Sequence, residues 1–422
     1  MKMTKQEKSW ILYDWANSVY ATIMMAAVVP IYFSTVAKAA GQAGDYWWSI
    51  ATSVAMLLTA IGAPLIGAVA DYFGYKKKLF VAFLGVALAF TTLAAVTDSW
   101  IWLMVSYAVS HMAFNAGILV YDSFLPDVTT KDRMDKISAY GFAYGYIGGS
   151  TIPFIISIGL IQFGDRIGLT GSMPVRVSIG ITVVWWLVFT IPFLRNVKQV
   201  NGIQKPDSGI SKEVLGNIAK TARKIVKDKK ILFFIITYFF YIDGVGTVIT
   251  MSTAYGATLG LDATGMILAL LVTQLVAFPC SIIFGNLGRK IGSLKMLRMA
   301  VMIYLGVCIV GFFMGFGLEE QWFGVEIALI LFWVLAIMVG TVQGGIQALS
   351  RSYFGKIVPP ENAGEFFGFF DIFGKFAAII GPALYGVTKL LTGRSSFAIL
   401  SLIFLFLVAL IIMRIGKKYL VD

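Results

Sequence analysis

Apolar residues recur along this chain in long, nearly unbroken runs separated by short polar connections. A helix rises 1.5 Å per residue, so about 20 apolar residues cross the roughly 30 Å of hydrocarbon in a bilayer. The runs predict twelve spans, near 9–37, 47–71, 79–97, 101–123, 138–163, 176–194, 231–256, 264–287, 294–316, 325–349, 364–390 and 395–415. The longest polar stretch, 195–230, divides them six and six and holds ten Lys and Arg, Pro206 and the turn-prone Lys205-Pro206-Asp207-Ser208-Gly209. Over 211–230 it reads as a basic amphipathic helix, with Val214, Leu215, Ile218, Ala222 and Ile225 on one side. The expected organisation is a six-helix bundle over 1–194, a basic linker over 195–230 that tethers and charges the inner surface, and a second six-helix bundle over 231–422.

Composition settles the class. Hydrophobic residues make up 58% of the chain and charged ones 13%, against about 25% charged in soluble domains, so this is an all-α membrane protein. The net charge of +12 invites a nucleic-acid reading, but the location of the charge excludes it. Of 34 Lys and Arg, 28 lie at the termini or after even-numbered spans; the exceptions are Lys38, Arg166, Arg176, Lys375, Lys389 and Arg394. Positive residues stay inside, which predicts cytoplasmic termini and an even number of spans. The first apolar stretch is longer than a cleavable leader and opens on an Asp and an Asn, so it is expected to remain as span one. Cys280 and Cys308 fall inside spans as small buried hydrophobes, with no metal site or disulfide expected. No phosphate-binding Gly-Lys-Ser/Thr loop, paired zinc ligands or Gly-x-Ser-x-Gly elbow is present, which argues against ATP-driven work, hydrolysis, an enzyme or a cofactor.

The halves echo each other. Gly145 precedes Pro153 by eight residues in span five, and Gly374 precedes Pro382 by the same spacing in span eleven; Gly67 and Gly74 after span two are repeated by Gly285 and Gly292 after span eight. Tyr13-Asp14 is loosely matched by Tyr241-Ile242-Asp243. Such internal repeats are common in secondary transporters.

Gly67-Ala-Val-Ala-Asp71-Tyr-Phe-Gly74-Tyr-Lys76-Lys77-Lys78 resembles the G-x-x-x-D-R-x-G-R-R loop signature of the major facilitator superfamily. Its glycines allow a tight turn and close helix approach, and its Asp can face a neighbouring helix amino terminus. Tyr72 stands where the signature has Arg, which removes an ionic latch through that position. Arg289 stands where the second copy would have its Asp, so a carboxylate latch is expected in the first half alone.

Further motifs narrow the resemblance: Tyr13-Asp14-Trp15-Ala16-Asn17-Ser18, Tyr241-Ile-Asp243-Gly244-Val-Gly-Thr247, Gly344-Gly345-Ile-Gln347-Ala-Leu-Ser350-Arg351-Ser352, Pro359-Pro360, Glu365-Phe366-Phe367-Gly368 and Gly374-Lys375-Phe-Ala-Ala-Ile-Ile-Gly381-Pro382. Together they resemble the vacuole-effluxer family of that superfamily over nearly the whole chain. The resemblance implies solute transport by the major facilitator fold, with amino-acid export recorded for the fungal branch only. It also implies a plasma membrane setting for a bacterial chain and a vacuolar one for a fungal chain.

Charged groups in hydrocarbon cost several kcal/mol and normally face a bundle interior or a wet cavity. Asp14, Asn17, Ser18 and Ala21 share one helix face, and Asp243, Gly246, Thr247 and Thr250 another. These stripes are candidates to line a cavity in which Asp14, Asn17, Asp243 and Thr247 hold a substrate amine or a proton; the alternative is that the carboxylates bridge helices. Asp243 is the stronger candidate and Asp14 the inner-mouth coupler. Lys375 either receives a substrate carboxylate or pairs with Asp371 four residues away. His111, the only histidine, with Asn115 one turn on, is a proton-relay candidate or a structural His. Gly67, Asp71, Gly74, Arg351, Glu365 and Asp371 are gating candidates, Arg351 through a salt bridge to Asp127, Glu361 or Glu365. Gly141, Gly145, Gly148 and Gly149 before Pro153 resemble the superfamily's antiporter motif or serve close packing. Trp47, Trp48, Trp100 and Trp102 fit interface belts.

The reading is a monomeric secondary transporter in the lipid bilayer that moves a small polar solute, an amino acid or related zwitterion, by proton-coupled alternating access. A lipid or drug exporter of the same fold and a non-transporting receptor or scaffold are the alternatives.

Overall fold

The computed structural model describes residues 2–205 and 210–421. The turn expected at Pro206 to Gly209, and the side chains of Val214 and Leu215, lie outside what is described. Among the described residues the chain is helical, with one isolated bridge between Tyr72 and Ile203. Among the described residues eleven helices are long and apolar enough to cross a membrane, and a bent pair, Lys5–Ala27 with Val29–Ala39 at 41°, makes a twelfth when taken as one span. We number the spans in order: one, that pair; two, Gly44–Ala70; three, Tyr75–Val96; four, Trp100–Ser123; five, Met134–Ile167; six, Met173–Asn196; seven, Lys229–Thr258; eight, Ala263–Ile291; nine, Ser293–Glu319; ten, Val325–Ile357; eleven, Ala363–Thr392; twelve, Ser395–Lys418.

Local chemistry explains the ends and the bends. Thr4 accepts from the Glu7 N–H at 3.1 Å while the Glu7 carboxylate accepts from the Thr4 N–H at 2.7 Å, a capping box that starts span one. Asp228 caps span seven and Asp262 caps span eight. Hydroxyls inside spans, such as Thr59, Thr91 and Ser281, donate to the carbonyl four residues back, because lipid offers them nothing else. Spans one and five each contain a π-helical stretch, Ala21–Ala27 and Gly145–Thr151, followed by a proline two or three residues later, Pro30 and Pro153. A proline removes an N–H and crowds the carbonyl one turn earlier, so the preceding turn widens.

Spans ten and eight are among those that run further than hydropathy predicts. Span ten continues from Leu349 to Ile357, because its tail, Ser350 to Phe354, is buried in protein instead of lipid. Span eight reaches Ile291, so Gly285 lies inside a helix and not in a loop, as does Gly67 in span two.

The chain forms two compact units. The first comprises 1–130, 144–221 and 359–369; the second comprises 131–143, 222–358 and 370–422. They therefore do not follow the two halves of the sequence residue for residue. In the first unit Trp10 stacks on Tyr121 at 4.5 Å and the two exchange hydrogen bonds, the indole N–H to the Tyr121 carbonyl and the phenol to the Trp10 carbonyl. Tyr13, Phe80 and Phe193 pack around them, and the hydroxyls of Tyr20 and Ser110 join spans one and four at 2.7 Å. In the second unit the hydroxyls of Tyr241 and Ser350 join spans seven and ten in the same way, and Phe370 stacks on Tyr238 and Phe354. Leu57, Ile61, Ile155, Val184 and Ile330 project outward, a surface that lipid satisfies and water does not. Trp102 is exposed, whereas Trp48 stacks on Tyr107 at 3.8 Å.

Candidate functional site

Asp14 and Asn17 are buried in span one, with 8% and 4% of their surface exposed. The stripe they begin is closed in by span five. Ser18 donates to the Asp14 carbonyl, a Cβ on Gly145 would lie 2.7 Å from Ser18 Oγ, and one on Gly148 would lie 1.9 Å from the Trp15 ring. Gly145 and Gly148 are therefore required by packing against span one. The amide nitrogen of Asn17 is buried and makes no hydrogen bond among the described residues. Buried donors are rarely left so.

Asp243 is held. Both of its carboxylate oxygens lie 2.9 Å from the backbone N–H of Gly381 in span eleven, and the side chain is 1% exposed. Thr247 donates to the Asp243 carbonyl one turn back, at 2.8 Å. A Cβ on Gly381 would lie 2.0 Å from Thr247 Oγ1 and 2.8 Å from Asp243 Oδ1, so this approach of spans seven and eleven requires glycine. Lys375 pairs with Asp371 in its own helix. In this structure Asp243 bridges spans seven and eleven, and Lys375 pairs within its own helix.

His111 is 1% exposed and packs at 5.3 Å against Tyr107, which itself stacks on Trp48 and shares a hydrogen bond with Thr52. Asn115 donates to the His111 carbonyl at 2.9 Å. Span four thus brings these residues into a packed aromatic seam.

The loop motif forms a joint within the first unit. Asp71, the residue just past the end of span two, accepts the N–H groups of Gly364 at 2.7 Å and Glu365 at 2.8 Å, in the first turn of span eleven. A carboxylate on exposed N–H groups at a helix amino terminus gains from both hydrogen bonds and dipole. A Cβ on Gly67 would lie 2.1 Å from the Gly364 carbonyl oxygen, and one on Gly368 would lie 2.6 Å from that of Ala63. Gly74 turns the chain into span three at φ +81°, left-handed backbone that glycine adopts without strain.

The second unit holds the repeat-related joint, and here one expectation is corrected. Gly285 approaches span five so closely that a Cβ would lie 2.3 Å from that of Ala139 and 2.8 Å from the Asp135 carbonyl. A carboxylate latch is present here too, supplied by Asp135 of span five, which accepts from Ser293, Ser352 and Lys356. Polarity is reversed between the copies: the acid sits on the entering helix, and Arg289 occupies the place of Asp71. Arg351 lies within span ten, donating to Ser138 from Nε at 2.9 Å and stacking over Phe142 at 4.4 Å. Of the acids expected for it, Asp127 is bound by Lys76 at 2.8 Å.

Burial pushes the Asp71 carboxyl from 3.8 up to about 7, against the opposing pull of Lys76 and the two N–H groups, with Glu365 adding to the rise. A joint that opened would rehydrate the acid and return it to its ordinary range, so that closing would take up a proton. The stabilisation tied to that proton is full below about pH 4 and is lost as pH rises through about 7. Amide exchange at Gly364 and Glu365, corrected for its intrinsic pH dependence, should be faster at pH 8 than at pH 6 in the native chain and indifferent to pH in Asp71→Asn. Equal pH response in the two proteins would refute the linkage.

Comparison with known proteins agrees with this architecture. The family model described as "Vacuole effluxer Atg22 like" matches residues 48–417. The chain is 42% identical over 419 residues to the uncharacterized MFS-type transporter YxiO of Bacillus subtilis, covering 98% of this chain and 95% of that protein. It is 24% identical to autophagy-related protein 22 of Botryotinia fuckeliana, covering 68% of this chain and 50% of that longer protein. Among solved structures, the human organic anion transporter MFSD10 shares its fold at TM-score 0.71 and 12% identity, covering 98% of this chain and all of that one. The proton:xylose symporter XylE shares it at TM-score 0.69 and 12% identity, covering 99% and 94%. With twelve spans, paired glycine joints and this match over most of its length, the chain belongs to the Atg22-like vacuole effluxer family of multi-pass major facilitator transporters.

Proposed function

We propose that this transporter moves a small zwitterion of the amino-acid class by alternating access, coupled to protons. The observation that carries the substrate class is the pair on span one. Asp14 can hold an ammonium group or a proton, and three residues on, the unbonded Asn17 amide offers a donor to a carboxylate or carbonyl. Opposite chemical demands less than one turn apart suit a molecule with both charges. The Asp71 and Asp135 joints are held by hydrogen bonds, which can break and re-form as gates at the cytoplasmic side would have to do.

The test is flux in proteoliposomes with voltage clamped and a pH gradient imposed or absent, using labelled amino acids chosen by thermal shift of the purified protein. A gradient should accelerate uptake, and Asp14→Asn should abolish the acceleration while the protein remains folded. Unchanged gradient-driven flux in that variant would sink the assignment.

A second reading has one observation in its favour. The second unit contains a cavity of about 80 Å³ lined by Val248, Tyr255, Leu270, Phe332 and Gln343 among others, almost wholly apolar. Such an apolar lining suits the hydrophobic part of a lipid- or drug-type solute, and stabilisation by such compounds with none by amino acids would select this reading.

A further inference from the structure

The start of the linker is not a slack tether. Where span six ends, the Val197 carbonyl accepts from Lys77 Nζ at 3.0 Å. Gln199 then clasps the turn that bears Asp71: its amide N donates to the carbonyls of Ala70 and Tyr72, both at 3.2 Å, and its amide O accepts the Gly74 N–H at 3.0 Å. Ile203 completes the clasp as a one-residue parallel bridge, donating to the Asp71 carbonyl at 2.8 Å and accepting from the Phe73 N–H at 3.1 Å. Gly202 lies against the same turn, and a Cβ there would meet the Asp71 carbonyl oxygen at 2.6 Å. Asp127 anchors the strap from the other side, accepting the N–H groups of Val200 at 3.0 Å and Asn201 at 2.6 Å while its second oxygen binds Lys76. Further along, Ile218 of the helix Ile210–Lys227 packs with Ile203 and Tyr75 on Ala68 and Tyr72.

A turn leaving a membrane helix ordinarily satisfies its backbone with water and is correspondingly free to move. This turn has the carbonyls of Ala70, Asp71 and Tyr72 and the N–H groups of Phe73 and Gly74 taken by the strap. The carboxylate of Asp71 leaves from that fixed backbone to reach Gly364 and Glu365. We propose that residues 197–203 position Asp71 for its bond to span eleven, so that the linker sets the strength of this joint, with Gln199 and Gly202 as its positioning residues. The inference rests on reading the joint as a gate. It gives the basic linker a mechanical role: tension or a ligand on 210–227 reaches the gate through the strap.

The test uses the full-length protein in nanodiscs, with no substrate, and two readouts. Hydrogen–deuterium exchange follows the peptide containing Gly364 and Glu365, and infrared titration follows the carboxyl band that Asp71→Asn removes. The charged groups facing that carboxyl are Lys76 and Glu365, and neither is altered. Gln199→Ala and Gly202→Ala should each accelerate exchange at 364–365 by at least about fivefold, as expected for losing hydrogen bonds of ordinary strength, and should move the Asp71 band midpoint downward from about 7. Exchange in spans four and twelve should not change, which separates loss of the clasp from unfolding. If both variants exchange like the native chain while Asp71→Ala, which removes both acceptor oxygens, exchanges faster, the strap does not position Asp71 and the proposal is overturned with the joint intact. If Asp71→Ala itself exchanges like the native chain, the joint is not a gate held by this acid and the reading beneath the proposal fails.

Discussion

Gly67→Ala is expected to open the joint between spans two and eleven. The added Cβ would sit 2.1 Å from the carbonyl oxygen of Gly364, and because backbone faces backbone on both sides, no side chain can rotate away to relieve the clash. Overpacking of this kind costs about 1–3 kcal/mol, which corresponds to roughly 5- to 150-fold in a two-state equilibrium. Asp71 would move with span two, so its bonds to Gly364 and Glu365 weaken together with the contact. Gly62→Ala, one and a half turns earlier in the same helix, is the matched control: its Cβ would meet only Ile66 Cδ1, at an ordinary 3.7 Å. Amide exchange at 364–365 should rise sharply in the first variant and stay at the native level in the second. Equal exchange in the two would show that the close approach does not hold the joint.

The spans and the repeat were legible in the sequence because both rest on properties that survive without tertiary context. Apolar runs of bilayer length must be helices in lipid, and a glycine pair repeated at the same spacing marks the same close approach twice. Asp71 was legible as the partner of a helix amino terminus for a similar reason, since a carboxylate following a span has few other ways to be satisfied. The second joint was not, because the repeat points to an acid at the position where Arg289 stands. The acid had moved to Asp135 on the partner helix, and a lone Asp at the start of a span carries no signal of that exchange. The strap was hidden by composition: a stretch dense in lysine reads as solvated, while the bonds that fix it run through Gln199, Gly202 and backbone. The π-helical turns left one trace, a proline two or three residues beyond each, which is also what an ordinary proline kink would leave. Glycine at 381 could have been noticed as a place where a backbone N–H lies open to a neighbour, but which neighbour is decided only by packing.

The two intramembrane aspartates should separate when each is made neutral. Asp243→Asn keeps an oxygen that can accept the Gly381 N–H and removes a charge whose burial costs about 2.5–3.5 kcal/mol on insertion scales. Its thermal stability should therefore match or exceed that of the native chain, and solute flux should persist. Asp243→Ala deletes the acceptor and leaves a void beside Gly381. A backbone N–H without a partner in the bilayer is expensive, and losing a buried hydrogen bond to a charged group costs about 1.5–3 kcal/mol, so this variant should melt lower and accumulate poorly. Asp14→Asn should do the opposite of Asp243→Asn, folding normally and losing gradient-driven flux. The discriminating case is Asp243→Asn: a protein that folds, melts at the native temperature and yet moves no solute would mean that the Asp243 carboxylate takes part in transport itself. Its bonds to Gly381 would then be one state of a cycle in which spans seven and eleven part to expose it.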